Sequence, residues 1–221
     1  LFSNRHTLHI LTAYNIFLDH KIFGAGPKAF RILCDNNKFI PHKFINKTCY
    51  LLKSVGININ TVPVLDVRVK GSSNIIGDRS FSSINKIVSK IGDFCIKNFH
   101  KNKIATVIKH IPGHGRAKVD SHKLTPTVKT KYTDLIENDF STFKNKKSLL
   151  AMTAHIIYKD IDPINTATHS KKIITLIRKS IKFNNILMSD DISMKSLKYS
   201  IKQNTLKAFS AGCNLVLHCN G

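Results

Sequence analysis

The sequence has no long hydrophobic run and no paired cysteine motif. Every stretch of 18 or more residues carries charge, so no segment is predicted to cross a bilayer, and the first residues lack the pattern of a signal peptide. The five cysteines are an odd number without a C-x-x-C, which favours reduced thiols over a disulfide framework or a zinc site. These absences predict a cytoplasmic location.

Acidic side chains are scarce. The 13 Asp and Glu residues stand against 35 Lys and Arg, which gives a formal net charge of +22. That charge alone would suggest a nucleic acid or an anionic surface as partner. The lysines are scattered, however, and the sequence contains no recognised nucleic-acid-binding motif and no platform of interleaved aromatic and basic residues. We expect weak, salt-sensitive adhesion to polyanions and no specific nucleic acid partner.

The composition is sufficient for one domain of ordinary size. The chain has 221 residues, of which 42% are hydrophobic and 22% are charged, as is usual for a globular domain. It begins with Leu1 rather than Met and ends at Gly221, two residues after an apolar run. From these ends we expect a fragment of a longer protein.

Short apolar segments alternate with helical patterns from about residue 51 onward. Between the apolar segments, hydrophobic residues recur at helical spacing, as in SSINKIVSKIGDFCIKNF and SKKIITLIRKSI. Five segments are predicted to be buried strands: 57–67, 103–110, 149–155, 186–191 and 214–220. Strands that alternate with helices predict a parallel sheet.

Polar side chains stand where these predicted strands end. Asp66, His110, His155, Asp190 and His218 follow or close an apolar strand. In a barrel of alternating strands and helices, the carboxyl ends of the strands converge on one face, where catalytic groups lie. A doubly wound sheet would also gather them, but it would more often show a Gly-rich phosphate turn, which is missing here. The pattern therefore favours an α/β barrel of the TIM type.

The segment KHIPGHGRAKVDSH, residues 109–122, is unusually rich in titratable groups. Its proline and two glycines prevent a regular helix and allow the loop to reach across a site and move with a substrate. His110 and His114 are four residues apart, but that spacing forms a metal-ligand pair only on a helix. We expect no metal at this loop.

Five motifs, in this order and at compatible spacing, carry a family resemblance. They are NIIGDRSF (74–81), KHIPGHGRAKVDSH (109–122), MTAHIIY (152–158), MSDDISM (188–194) and AGCNLVLHCN (211–220). Together they resemble the bacterial β-N-acetylhexosaminidases of glycoside hydrolase family 3, over roughly residues 51–221. The resemblance implies a partial TIM-type (β/α)8 barrel made of the last five strand–helix units. An early motif of that family, similar to D-Q-E-G-G-R, is missing, and 50 residues cannot supply three further units.

The resemblance also implies roles for individual residues. Members of the family are retaining glycosidases that form a covalent glycosyl intermediate on an aspartate. Here the implied nucleophile is Asp190, the implied acid/base is His122 with Asp120 as its partner, and the positions that hold the N-acetylglucosamine unit are Arg79, Lys109 and His110. No cofactor and no metal are implied.

Elementary chemistry agrees with these roles. Retaining hydrolysis needs a nucleophile and a proton donor on opposite sides of the anomeric carbon, and an imidazole with a pKa of about 6.5 can donate and accept protons at neutral pH. Asp191 is predicted to cap the helix that follows or to play a similar structural part. Asp66 and His155 either line the pocket or only satisfy the ends of their strands, whereas His218 is predicted to be structural.

Residues 1–50 do not follow this alternation and are predicted to form a mostly helical segment. The part that contains GAGPKAF loosely resembles a short stretch of membrane O-antigen ligases and polymerases. We therefore divide the chain into an amino-terminal segment 1–50, whose origin the sequence leaves open between an O-antigen ligase-like protein and the hydrolase, and a truncated hydrolase domain 51–221. The alternative is that residues 1–50 are a divergent amino-terminal part of the hydrolase.

The function implied by the resemblance is removal of terminal β-linked N-acetylglucosamine. The expected substrates are cell-wall muropeptides or related glycans that contain N-acetylglucosamine, and the expected role is peptidoglycan recycling. Two alternatives stay open at this point: a catalytically inactive fragment or chimera of such an enzyme, and a basic nucleic-acid-binding module.

Overall fold

Parallel strands form the central sheet of the chain. The structure, a computed structural model, describes residues 41–121 and 124–220. The resemblance seen in residues 1–40 and the acid/base role predicted for His122 lie outside the described residues. The first helix of the described residues is α1 at Pro41–Ser54.

In the part of the chain that the structure describes, seven strands and five α-helices follow the order expected for alternating units. The strands are β1 (Ile59–Asn60), β2 (Ala105–Ile111), β3 (Thr127–Val128), β4 (Leu150–Thr153), β5 (Ile157–Tyr158), β6 (Ile186–Asp191) and β7 (Leu215–Leu217). The remaining α-helices are α2 (Asn85–Lys101), α3 (Tyr132–Glu137), α4 (Lys171–Lys179) and α5 (Ile201–Ala211). Three short 3-10 helices lie at Gly77–Arg79, Phe140–Phe143 and Ala167–His169.

The main sheet has the strand order β1-β2-β4-β6-β7, and all its neighbouring strands are parallel. It curls into a half-barrel with the helices on one side. Strands β3 and β5 form a separate two-stranded parallel sheet. The partial (β/α) barrel predicted from the sequence is therefore confirmed.

The two faces of the sheet have separate apolar clusters. Ile108, Ala151 and Leu187 pack against helix residues such as Ile173 in the larger cluster. On the opposite face, a smaller cluster is built from Val107, Leu150 and Met152, with Ala105, Met188 and Leu217 packed against it. This alternation along each strand is the period of two that a sheet covered on both faces requires.

Local sequence signals explain where the last two helices begin and end. Ser170 caps α4, because its side chain accepts a hydrogen bond from Ile173 N. Ser200 and Gln203 form a capping box at the start of α5. Gly212 ends α5 in the left-handed conformation, with φ of 117°, that glycine adopts without steric cost. These signals set the first residues of both helices and the last residue of α5.

The prediction of a continuous buried strand over 57–67 is wrong in its first half. Only Ile59 and Asn60 pair with β2, and a single further bridge joins Val64 to Lys109. Ile59 is 46% exposed, because β1 is the outer strand of the sheet in the described ranges. Pro63 interrupts the ladder, since proline has no N–H to donate. The buried part is 63–67, which carries Asp66 to the site.

Across residues 41–121 and 124–220, every helix is too short or too polar to span a bilayer.

Candidate active site

Charged side chains from three strand ends meet at the carboxyl edge of the sheet. Asp66 follows the Val64 bridge, Lys109 and His110 close β2, and Asp190 closes β6. Because the strands are parallel, their carboxyl ends lie on one side of the sheet. The convergence predicted from the sequence is therefore observed for Asp66, His110 and Asp190, and Lys109 joins them.

A register shift in β2 allows two consecutive residues, Lys109 and His110, to face the site. The pairing with β4 shifts between Lys109 and Ile111, so that Lys109 pairs with Met152 and Ile111 with Thr153. Ile108 and Ile111 both pack in the larger apolar cluster, which lies between the sheet and the helices. A regular strand would send His110 to the same side as Ile108, whereas a bulge of one residue re-aims a side chain. Lys109 and His110 are thus both available at the site.

Asp66 is a fully buried carboxylate surrounded by N–H donors. Its Oδ2 lies 2.7 Å from His110 Nδ1, and its Oδ1 accepts the backbone N–H of His114 at 2.6 Å. The backbone N–H of His110 lies 3.2 and 3.3 Å from the two oxygens. Burial by itself raises the pKa of Asp66, but the charge and hydrogen bond of His110 and the contacts of His114 outweigh it and lower the pKa below its usual value. Asp66 is therefore ionised at neutral pH.

Asp190 is the carboxylate of this group that solvent reaches. Its side chain is 20% exposed, and its Oδ2 lies 3.9 Å from His110 Nε2. Its Oδ1 accepts the backbone N–H of Asp191 at 2.8 Å, which restricts rotation of the carboxylate. An accessible, oriented carboxylate at the end of a barrel strand can act as a nucleophile.

Lys109 and Arg79 place positive charge beside the two carboxylates. Burial lowers the pKa of Lys109, the charge of Arg79 lowers it further, and the charges of Asp190 and Asp66 oppose both effects. The Arg79 guanidinium donates to the carbonyl of Ile75 from Nε at 3.0 Å and from Nη2 at 2.7 Å. The side chain of Arg79 is thereby held by the turn before its own 3-10 helix, and its charge affects the pKa of Lys109.

The loop after β2 is anchored by contacts of its backbone and of His114. Tyr158 donates its hydroxyl to the carbonyl of Gly113, and His114 Nε2 lies 3.1 Å from Ser121 Oγ. Burial and the charge of His110 lower the pKa of His114 to about 4, so this ring is neutral at pH 7. Asp120 is partly exposed, and its carbonyl accepts the N–H of Leu124 at 2.9 Å. The partnership of Asp120 with His122 stays a prediction, because His122 lies outside the described residues.

His155 and Asp191 form hydrogen bonds with protein atoms next to the site. His155 is 1% exposed, donates from Nε2 to the carbonyl of Asp191 at 3.0 Å, and has Thr168 Oγ1 2.7 Å from Nδ1. Both ring nitrogens are occupied by protein atoms, so His155 satisfies the strand end and does not line the pocket. Asp191 accepts the N–H of Ser193 at 3.0 Å and forms a turn; the helix that it was predicted to cap begins only at residue 201.

Sequence reasoning left Asp66 unresolved and missed two anchors of the loop. A single charged residue within the apolar run VPVLDV was a signal for Asp66, because a buried charge needs partners. The contact between Tyr158 and Gly113 and the ion pair between Arg116 and Asp139 had no local signal. Both join segments that are more than 20 residues apart.

The fold and these residues together define a class of protein. A parallel half-barrel that gathers an accessible carboxylate, a lysine, an arginine and a histidine at its carboxyl edge has the arrangement found at the active-site face of barrel-type enzymes. The family described as "Glycosyl hydrolase family 3 N terminal domain" matches residues 43–221, and the chain belongs to this family. The resemblance inferred from the five motifs is thus confirmed.

Individual relatives agree with this membership. A curated beta-hexosaminidase of Idiomarina loihiensis is 34% identical over 173 residues, which are 76% of this chain and 52% of that protein. A glycoside hydrolase family 3 beta-N-acetylglucosaminidase from Paenibacillus sp. str. FPU-7 has a TM-score of 0.77 at 26% identity, over 80% of this chain and 35% of that one. NagZ from Neisseria gonorrhoeae, solved in complex with N-trifluoroacetyl-D-glucosamine, has a TM-score of 0.75 at 27% identity, over 88% of this chain and 58% of that one. The chain spans about half the length of the curated relatives it matches.

Proposed function

We propose that this protein is a retaining glycoside hydrolase that removes terminal β-linked N-acetylglucosamine. Its proposed substrates are cell-wall muropeptides, and its proposed role is peptidoglycan recycling in the cytoplasm. The observation that carries the proposal is the accessible carboxylate of Asp190, oriented by the Asp191 N–H and facing His110 Nε2 at 3.9 Å. The family membership and the relatives named beta-hexosaminidase support it.

In the proposed first step, Asp190 attacks the anomeric carbon of the sugar. A bond forms between a carboxylate oxygen and that carbon, the glycosidic C–O bond breaks, and its electron pair goes to the leaving oxygen, which takes a proton from His122. In the second step, water attacks the same carbon, gives a proton to His122 and releases Asp190 as a carboxylate. Asp120 is proposed to orient the His122 ring and to stabilise its protonated form.

Lys109, His110 and Arg79 are proposed to hold the sugar. Lysine and arginine supply only donors, whereas a neutral histidine can accept a hydroxyl proton on one nitrogen while the other nitrogen donates. The lowered pKa of Lys109 reflects the desolvated surroundings in which such hydrogen bonds are stronger. Because hydrolysis needs each hydroxyl in place before Asp190 attacks, these residues contribute by orientation.

Hydrolysis of an aryl N-acetyl-β-glucosaminide by the purified chain tests this function. We expect turnover that Asp190→Ala abolishes and that Asp134→Ala, an exposed carboxylate on α3, leaves intact. Proton NMR of the sugar released first should show the β-anomer, as retention of configuration requires. Turnover that survives Asp190→Ala would contradict the proposed nucleophile. A folded chain without turnover would support the inactive-fragment alternative.

A further inference from the structure

We propose that Asp66 is a positioning residue that holds His110 in one tautomer, with the proton on Nδ1 and with Nε2 directed towards Asp190. The inference rests on the proposed function in one respect, namely that His110 contacts the sugar. Asp66 itself touches no substrate in this scheme, because it is fully buried behind the histidine.

The hydrogen bonds of Asp66 determine which way each proton points. An ionised carboxylate can only accept, so the atom 2.7 Å from Oδ2, His110 Nδ1, must carry a proton. The backbone N–H groups of His110 and His114 occupy the remaining positions on the same carboxylate. Asp66 thereby orients the imidazole in the way that a carboxylate orients the histidine of other active sites.

The opposite ring nitrogen, Nε2, faces the site rather than Asp66. His110 Nε2 lies 3.9 Å from Asp190 Oδ2, which is beyond a direct hydrogen bond. With the proton on Nδ1 held by Asp66, Nε2 is the ring nitrogen that faces a sugar hydroxyl placed beside Asp190, and in this tautomer its lone pair can accept the proton of that hydroxyl. In the other tautomer Nε2 would be a donor, and a hydroxyl in the same place would have to turn its own proton elsewhere.

Asp66 contacts the backbone of the loop as well as the His110 ring. The two backbone donors, four residues apart, turn the start of the loop around the carboxylate, and the His110 and His114 rings meet edge to face with centroids 5.3 Å apart. Changing the carboxylate to an amide of the same shape separates its effect on the His110 tautomer from its effect on the loop backbone. In Asp66→Asn, Oδ1 can still accept the His114 N–H, while the amide nitrogen would donate to His110 Nδ1 and force the proton onto Nε2.

Nitrogen-15 NMR of histidine-labelled protein tests the tautomer directly. The His110 signals can be identified from their loss in His110→Gln. We expect the Nδ1-protonated form in the natural chain and the Nε2-protonated form in Asp66→Asn. The matched control is Asp162→Asn, which changes another buried carboxylate, 7% exposed, whose partners are Ser170 and Asn165; it should leave the His110 tautomer unchanged.

A His110 ring with a proton on Nε2 and none on Nδ1 in the natural chain would overturn the proposal, whether or not any variant folds. A folded Asp66→Asn chain with an unchanged tautomer would overturn it as well. These outcomes are independent of turnover, so they distinguish the positioning role from the proposed function.

Where the chain hydrolyses the aryl glucosaminide, kinetics add a second readout. We expect kcat/KM to fall by about 10- to 100-fold in Asp66→Asn, by analogy with the loss seen when a residue that orients a metal-bound histidine is replaced. The His110→Gln/Asp66→Asn double variant should be no worse than His110→Gln alone, because Asp66 acts through the ring. Fully additive losses would contradict that relationship.

Discussion

Arg116 donates from Nε to Asp139 Oδ2 across 2.7 Å, and this ion pair fastens the loop after β2 to the segment that follows α3. The Asp139 side chain is only 3% exposed, whereas that of Arg116 is 28% exposed. Gly113 packs against the same residue, since a Cβ built on it would lie 3.2 Å from Asp139 Cβ. One buried carboxylate thus holds two points of the loop that adjoins the site.

Removal of the cation from this pair should destabilise the fold. In Arg116→Met, the free energy of unfolding should fall by about 3 kcal/mol at pH 7, because Asp139 stays buried without its charge partner. Burial already raises the pKa of Asp139, and Arg116 opposes that rise. Without Arg116 the carboxyl protonates more readily, so the loss should be smaller at acidic pH, where Asp139 is neutral.

Urea unfolding at pH 7 and at pH 4.5 measures both effects. The Arg116→Met/Asp139→Leu double variant is the control, since it removes the uncompensated charge and should recover part of the stability. A single variant as stable as the natural chain at pH 7 would show that the pair contributes nothing.

Acidification should destabilise the chain through His114. Its pKa is lowered to about 4 by burial and by the charge of His110, against about 6.5 in an unfolded chain. Between these values the unfolded state binds a proton that the folded state does not, so stability is fully present above pH 6.5 and is lost as the pH falls towards 4. This group contributes up to about 3 kcal/mol to that loss.

The slope of the unfolding free energy against pH, from urea curves between pH 4 and 7, measures this contribution. The slope is proportional to the number of protons that the chain takes up on unfolding, and His114→Gln should lower that number by up to one in this window. Ser121→Ala, which removes the partner of Nε2 but keeps the imidazole, should retain the slope. Equal slopes in His114→Gln and the natural chain would refute the assignment.

A methyl group at Gly115 should displace the main chain beside Asp66. A Cβ built there would lie 1.9 Å from the carbonyl oxygen of Val67, and a backbone atom cannot turn aside as a side chain can. We expect Gly115→Ala to lower the free energy of unfolding by about 2 kcal/mol and to lower any hydrolytic activity. Gly56→Ala is the comparison: φ is +78° there, but nothing lies within 4 Å, so only a strain of about 1 kcal/mol is expected. Equal melting temperatures for the two variants would count against this contact.

Neutralisation of Asp190 should lower the pKa of Lys109 further. The Asp190 charge is one of the two that oppose the effects of burial and of Arg79. In Asp190→Asn, carbon-13 NMR of reductively methylated protein should therefore show Lys109 titrating at a lower pH than in the natural chain. Asp134→Asn, on the exposed side of α3, should cause no change. An unchanged Lys109 titration in Asp190→Asn would mean that the two side chains do not interact.

The sequence predicted the parts of the fold that have a strong period or a strong chemical signature. The five strands of the sheet, their parallel order and the convergence of Asp66, His110 and Asp190 follow from apolar runs that end in polar residues. The family resemblance came from motifs, which depend on residue types rather than on packing. These predictions succeeded because each depends on a short stretch of sequence.

Other features depend on contacts that no short stretch contains. Strands β3 and β5 have two residues each, too few to show a period, and their pairing joins residues 30 apart. The exposure of Ile59 depends on its place at the edge of the sheet rather than on its own composition. For Asp66, the sequence showed a charge within an apolar run, but its partners are 44 and 48 residues away. Such relationships are decided by tertiary structure.

The one-residue shift in β2 determines which kinds of change this site can tolerate. Since Lys109 and His110 are neighbours both along the chain and in the site, their chemistry can be altered by substitution at either position independently. A gain or loss of one residue within ATVIKHI would instead exchange the two sides of the strand, moving Ile108 or Ile111 out of the apolar cluster and a charged group into it. Replacement of a residue at constant length therefore preserves the two sides of this strand, whereas a change of length within it does not.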